Sequence, residues 1–232
     1  MPNAQAIQTY TPFERYYIHM LPPAASLTNL RLDLHEISIA YGPRQVVHNL
    51  NLVLRTGEVL VVAGTNGSGK SSLLRLLCGL QRASHGQISY YVNDVQLTRE
   101  QIRSVVGWLS PDLQLYRELT ALENLRFFTQ LRGLKLDDSQ LIQRLDLLGL
   151  AGRSQDLLAT FSSGMIQRMR FAFALLHDPL VLLLDEPTVT FDERGAAMCA
   201  EIIAAQRQRG ITVVATNDTR EEALGDYVLR LG

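Results

Sequence analysis

The sequence predicts an α/β fold: a mostly parallel sheet, a small antiparallel β-lobe ahead of it, and an inserted helical lobe at about 110–160. Three observations predict it. First, Gly64-Thr65-Asn66-Gly67-Ser68-Gly69-Lys70-Ser71 stands between a strand-like run (58–63) and a helical one (71–77), and a glycine-rich turn from strand into helix belongs to parallel-sheet architecture. Second, the five residues 180–184 are apolar without a break, as in a strand covered on both faces. Third, two amphipathic helical stretches follow each other between those points with no strand between them.

In chain order, residues 1–29 carry Pro2, Pro12, Pro22 and Pro23, which discourage long regular elements. They read as an extension outside the core, a weakly ordered tail or a partner-docking arm. Leu30–Tyr41 alternates apolar and polar residues with one slip between Leu34 and Ile37, so a strand with a bulge is expected. Tyr41-Gly42-Pro43 turns the chain into a second strand over 46–54, and Thr56-Gly57 returns it. Strands follow at 86–92, with Ile88, Tyr90 and Val92 on one face, and at 105–109. Thr120-Ala121-Leu122-Glu123 is a capping box opening a helix with Leu122, Leu125 and Phe128 on one side. Asp137-Asp138-Ser139 opens another, with Leu141, Ile142, Leu145 and Leu148 as its stripe. A helix over 163–176 is expected to bury Met165, Met169, Ala172, Phe173 and Leu176. A helix over 193–209, a strand at Ile211–Thr216, a short helix at 220–224 and a last strand at Tyr227–Leu231 complete the chain.

At 232 residues and 47% hydrophobic, this is one large domain with a substantial core. A net charge of −1 gives no sign of a nucleic-acid partner. Cys78 and Cys199 read as small buried hydrophobes of a reducing compartment, and the five histidines show no metal-ligand spacing. No run approaches the ~18 apolar residues of a membrane span, and no signal peptide is visible. The chain is expected to be cytoplasmic and to reach a membrane only by docking on another subunit.

The octet has the spacing of the phosphate-binding loop of P-loop NTPases. Its glycines turn backbone N–H groups inward at phosphate oxygens, and the helix start adds a positive dipole end. Gly64, Thr65, Asn66, Gly67, Ser68 and Gly69 are thus candidate nucleotide contacts, with Ser72 just beyond. Lys70 supplies a charge for the β- and γ-phosphates, and the Ser71 hydroxyl is a candidate Mg²⁺ ligand. The apolar run 180–184 ends in Asp185-Glu186. An acid at the carboxyl end of such a strand lies across from the loop, so Asp185 is the second candidate Mg²⁺ ligand. Glu186 is the candidate general base for the attacking water.

Phe161-Ser162-Ser163-Gly164-Met165-Ile166-Gln167-Arg168 resembles the signature motif of ATP-binding cassette (ABC) ATPases, in a variant similar to cassettes of the exporter branch. The resemblance covers about 30–232, the expected ATPase domain. It implies an ATP-binding subunit that binds and hydrolyses Mg·ATP to drive a separate integral membrane permease, docked on the cytoplasmic face. It further implies two cassettes closing head to tail around two ATP molecules, homo- or heterotypically. Ser162 and Gly164 of one cassette would then complete the site built on Lys70, Ser71 and Asp185 of the other. Tyr41 is placed like the aromatic that stacks on adenine, and Asp192 like the aspartate of the D-loop. The chain stops at Gly232 with no added regulatory domain, which leans towards an exporter.

Two positions depart from the family. Pro111 stands where a glutamine is usual, leaving Asp112 or Gln114 as its substitute, and Asn217 stands where the switch histidine is usual. An amide donates a hydrogen bond to a γ-phosphate but carries no charge, so slow hydrolysis at this chain's own site is expected. The alternative is a degenerate module that closes on nucleotide, hydrolyses little, and completes a partner cassette's site.

Overall fold

Apolar alternation builds the first layer. The computed structural model describes residues 29–232, so the extension expected over 1–29 lies outside the described residues apart from Asn29. Strand β1 (Leu30–Tyr41) buries Leu30, Leu32, Leu34, Ile37 and Ile39. The break in alternation is a bulge: the register shifts between Leu34 and Ile37, with Glu36 at φ +52°, so both halves of the strand face the core. β1 pairs antiparallel with β2 (Arg44–Arg55) and β4 (His85–Val92). Gly86 lies against the bulge at φ +87°, where a Cβ would come within 2.4 Å of the His35 and Glu36 carbonyl oxygens. A two-residue strand, β5 (Val95–Gln96), closes this sheet in the order β2-β1-β4-β5.

The second sheet is wholly parallel, in the order β6-β7-β8-β3-β9. Its strands are β3 (Val59–Gly64), β6 (Val106–Leu109), β7 (Val181–Asp185), β8 (Ile211–Thr216) and β9 (Tyr227–Leu231). Alternate residues enter different cores: Val59, Val61, Leu182, Leu184 and Val214 on one face, and Leu60, Val62, Val181, Leu183 and Val213 on the other. Coverage on both faces is why these strands read as unbroken apolar runs.

Helix α1 (Lys70–Leu77) packs Leu73, Leu74 and Leu77 into the core shared with the β-lobe. Seven residues form a helix not foreseen, α2 (Arg99–Val105), capped by Thr98 and Gln101; it takes Val105 out of the expected strand. Between the adjacent strands β6 and β7 come α3 (Ala121–Leu131) and α4 (Asp138–Leu147), with the capping boxes at Thr120 and Asp137 formed. Leu122, Leu125, Leu141 and Leu145 join the opposite core. Helix α5 (Ser163–Leu175) corrects one expectation. Met165 and Phe173 are only partly buried, whereas Phe171 is fully buried and stacks on Phe191 at 6.0 Å. The helix is enclosed on more than one side, so a single stripe does not describe it. Helix α6 (Glu193–Arg207) ends two residues short of the expected 209, and the short helix at Thr219–Leu224 is 3₁₀. Cys78 and Cys199 are buried free thiols.

His177 gives the fold a measurable acid sensitivity. Its Nε2 lies 3.0 Å from the Val106 carbonyl oxygen, and burial, helped by the charge of Arg132, pushes its pKa from 6.5 down to about 4. The unfolded chain therefore takes up the proton first. Stability is present above pH ~6.5 and is lost as pH falls towards 4, by about 3 kcal/mol in full. His177→Gln is expected to flatten the dependence of the unfolding midpoint between pH 7 and 4.5. Equal slopes in both proteins would refute it.

Candidate nucleotide site

Because the second sheet is parallel, its carboxyl ends share one edge, and most of the predicted site residues come together there. β3 delivers the glycine-rich loop, β7 delivers Asp185 and Glu186, β8 delivers Asn217, and β6 leads to Pro111 and Asp112. Between them lies a cleft of about 530 Å³, with the loop and α1 on one wall and Pro111, Asp112, Asp185 and Glu186 on the other. That volume is ordinary for a nucleotide-sized ligand.

The loop's geometry follows from its glycines. Gly69 precedes α1 at φ +109°, and a Cβ there would fall 2.8 Å from Val46 Cβ. Lys70 opens the helix and is 6% exposed. Its ammonium donates to the Gly64 carbonyl at 2.8 Å and the Thr65 carbonyl at 3.2 Å, and pairs with Glu186 Oε1 at 3.4 Å. Ser71 and Asp185 both line this cleft. Asp185 is 2% exposed, and burial pushes its pKa up against the opposing pull of the Ser71 hydroxyl and the Lys70 charge.

Glu186 is held in a left-handed backbone conformation, φ +49°, which a non-glycine residue adopts only where its surroundings enforce it. Its Oε2 accepts from the Asn217 backbone N–H at 3.4 Å, and the Asn217 side-chain amide reaches Asn66 Oδ1 at 3.5 Å. Asn217 therefore stands between the carboxylate and the loop. Tyr41 sits at the mouth, half exposed, its hydroxyl tied to Ser72 Oγ at 2.9 Å and Gln81 Oε1 at 3.0 Å.

Other predicted residues lie apart from this cleft. Ser162 caps α5, accepting from the Met165 N–H at 3.3 Å, and neither it nor Gly164 lines the cleft. Arg168 donates to the Leu148 carbonyl at 2.7 Å and braces the helical lobe. Asp192 caps α6 through the Gly195 N–H. Of the two substitutes for the missing glutamine, Asp112 lines the cleft, paired with Arg75 at 2.9 Å, and Gln114 does not. Sequence reasoning missed Arg44, which lines the cleft and donates to the Gly67 carbonyl at 2.8 Å. Its one local signal was a cation directly after the Gly42-Pro43 turn.

This arrangement can hold a triphosphate: a loop of N–H donors, a buried ammonium, and two carboxylates opposite. The profile of the ABC transporter family matches residues 47–189. The chain belongs to the ABC transporter family, as an ATP-binding subunit. It is 34% identical over 186 residues to the cytochrome c biogenesis ATP-binding export protein CcmA of Albidiferax ferrireducens, across 80% of this chain and 89% of that one. It is 31% identical over 193 residues to the linearmycin resistance ATP-binding protein LnrL of Bacillus subtilis, across 82% of this chain but 62% of that longer one. A solved ATP-binding subunit of an ABC transporter superposes with a TM-score of 0.74 at 27% identity, across 86% of this chain and 85% of that one. The cassette is the ATPase component of a transport system. Among the described residues no helix is long and apolar enough to cross a membrane.

Proposed function

We propose that this cassette, spanning about 30–232, hydrolyses Mg·ATP in the cleft between the 64–71 loop and Asp185–Glu186, and thereby drives an exporter-type permease from its cytoplasmic face. One observation carries the reading: the loop and the acidic pair meet in one cleft, with Lys70 paired to Glu186 at 3.4 Å. The export and resistance roles named for these two relatives support the direction of transport.

The donor set fits magnesium. The Ser71 hydroxyl and the buried Asp185 carboxylate are hard oxygen ligands lining one cleft, and Mg²⁺ takes one or two such groups plus phosphate oxygens. When bound, it neutralises charge on the β- and γ-phosphates. The remaining roles belong to the chain. Backbone N–H groups of the loop bind the phosphates, and Lys70 moves its charge from two carbonyls to phosphate oxygens. Glu186 takes the proton of the attacking water as the O–P bond forms and the bond from the γ-phosphorus to the β,γ-bridging oxygen breaks, leaving ADP and phosphate. Tyr41, fixed by two hydrogen bonds, offers a ring face to adenine. Ser162 and Gly164, at the start of α5, serve the nucleotide held by the second cassette.

Titration of purified protein with Mg·ATP and phosphate-release assays test this; absent affinity in a folded sample overturns it. Asn217 supplies a finer test. Its amide gives a neutral hydrogen bond where an imidazolium gives a charge-assisted one, roughly twice as strong. Asn217→His is expected to raise turnover by about tenfold with nucleotide affinity within a factor of about two. Unchanged turnover in both Asn217→His and Asn217→Ala removes Asn217 from the mechanism.

A further inference from the structure

Helix α5 carries more than the signature residues at its start. One turn beyond them Gln167 is 2% exposed. Its amide nitrogen donates to the Pro187 carbonyl at 2.9 Å and, at a longer 3.5 Å, to the Glu186 carbonyl. Its amide oxygen accepts from Arg170 Nη1 at 3.2 Å. That bond fixes the orientation of the amide, because a guanidinium only donates and must face the oxygen. The second terminal nitrogen of Arg170 donates to the Pro111 carbonyl at 3.0 Å. The guanidinium thus bridges two acceptors on separate segments, with its planar fork matching both.

The two ends of this chain of bonds matter. One end is the two peptide groups that directly follow Glu186, a residue with φ +49° whose conformation its neighbours must enforce. The other end is the loop where Pro111 replaces the family's glutamine. That loop is pinned on its far side by the Arg75–Asp112 pair at 2.9 Å. Its residues Ser110, Asp112 and Leu113 wall a mostly apolar groove of about 540 Å³ that also reaches Trp108 and Phe173. Proline has no polar side chain, so position 111 is tied to Arg170 through its backbone carbonyl.

We propose that Arg170 and Gln167 are positioning residues that tie the Pro111 loop to the backbone following Glu186 and so hold the hydrolytic carboxylate in place. The inference rests on the reading of Glu186 as the base. Arg170 acts through Gln167 and touches no reacting atom. Because the bonds run in series, removing either link disconnects the Pro111 loop from the same peptide groups.

Steady-state kinetics on the purified chain test it. Arg170→Ala and Gln167→Ala are each expected to lower kcat about ten- to a hundredfold with KM for ATP within twofold, because the phosphate loop is untouched. The double variant should fall no further than the worse single variant, the signature of one coupled unit. Hydrogen exchange of the 186–191 segment should speed in each variant, a readout that needs no turnover. If Gln167→Ala fails to fold, Arg170→Ala and Arg170→Met carry the test. Unchanged kcat, fully additive losses, or unaltered exchange at 186–191 would overturn the relay while leaving the function intact. A folded wild-type chain that does not hydrolyse ATP overturns the functional reading itself, whatever the exchange result.

Discussion

Glu186→Gln is expected to lower ATP hydrolysis by about 10²–10⁴-fold, the range that a positioned general base supplies, with little change in ATP affinity. The amide has the same shape, so the Asn217 N–H keeps an oxygen to bond and the left-handed backbone at Glu186 is not asked to move. What is lost is the group that takes the proton from water. The carboxylate also pairs with Lys70 at 3.4 Å, but that ammonium keeps its bonds to the Gly64 and Thr65 carbonyls. The lysine therefore stays over the loop, ready for phosphate. Single-turnover phosphate release measured beside nucleotide binding separates the two effects. A variant that retains more than a tenth of wild-type turnover removes Glu186 from the role of base.

Local sequence reported this site well where a residue's role depends on its own segment. The octet could only turn from strand to helix, and it does so at Gly69 with φ +109°. The bulge at Glu36 and the caps at Thr120 and Asp137 were written in short-range patterns. Helix α2 was legible only through the capping pair Thr98 and Gln101, because it buries Ile102 alone and has no apolar stripe. The hairpin to β5 turns at Asn93 and Asp94, φ +51° and +63°, a residue pair suited to such a turn that went unread. Phe171 was missed for a different reason. A helix packed on several sides buries residues that no single stripe contains.

Other cross-segment contacts were not legible, unlike the meeting of the loop with the acidic pair. Arg44 to Gly67, Gln167 to Pro187 and Asn217 to Asn66 all depend on how the segments meet, and the last depends on β8 lying between β7 and β3. Nothing local encodes that order. The same limit explains why Asp112 and Gln114 could not be separated from sequence: the choice turns on which one faces the cleft.

Lys70→Ala is expected to weaken Mg·ATP binding by at least about thirtyfold, since truncating one partner of a buried charge pair costs about 2–5 kcal/mol. The difficulty is to tell lost binding from a damaged fold. Without the ammonium, Asp185 and Glu186 are adjacent carboxylates whose mutual repulsion is no longer offset, and the charge of Lys70 is one of the influences that hold the Asp185 pKa down. The single variant should therefore be less stable at neutral pH as well as weaker in binding. Lys70→Ala combined with Glu186→Gln removes the excess negative charge. It should recover most of the lost stability, read as the unfolding midpoint, and none of the lost affinity. If affinity returns with stability, Lys70 acts by holding the loop together. If stability returns alone, its charge is what the triphosphate needs.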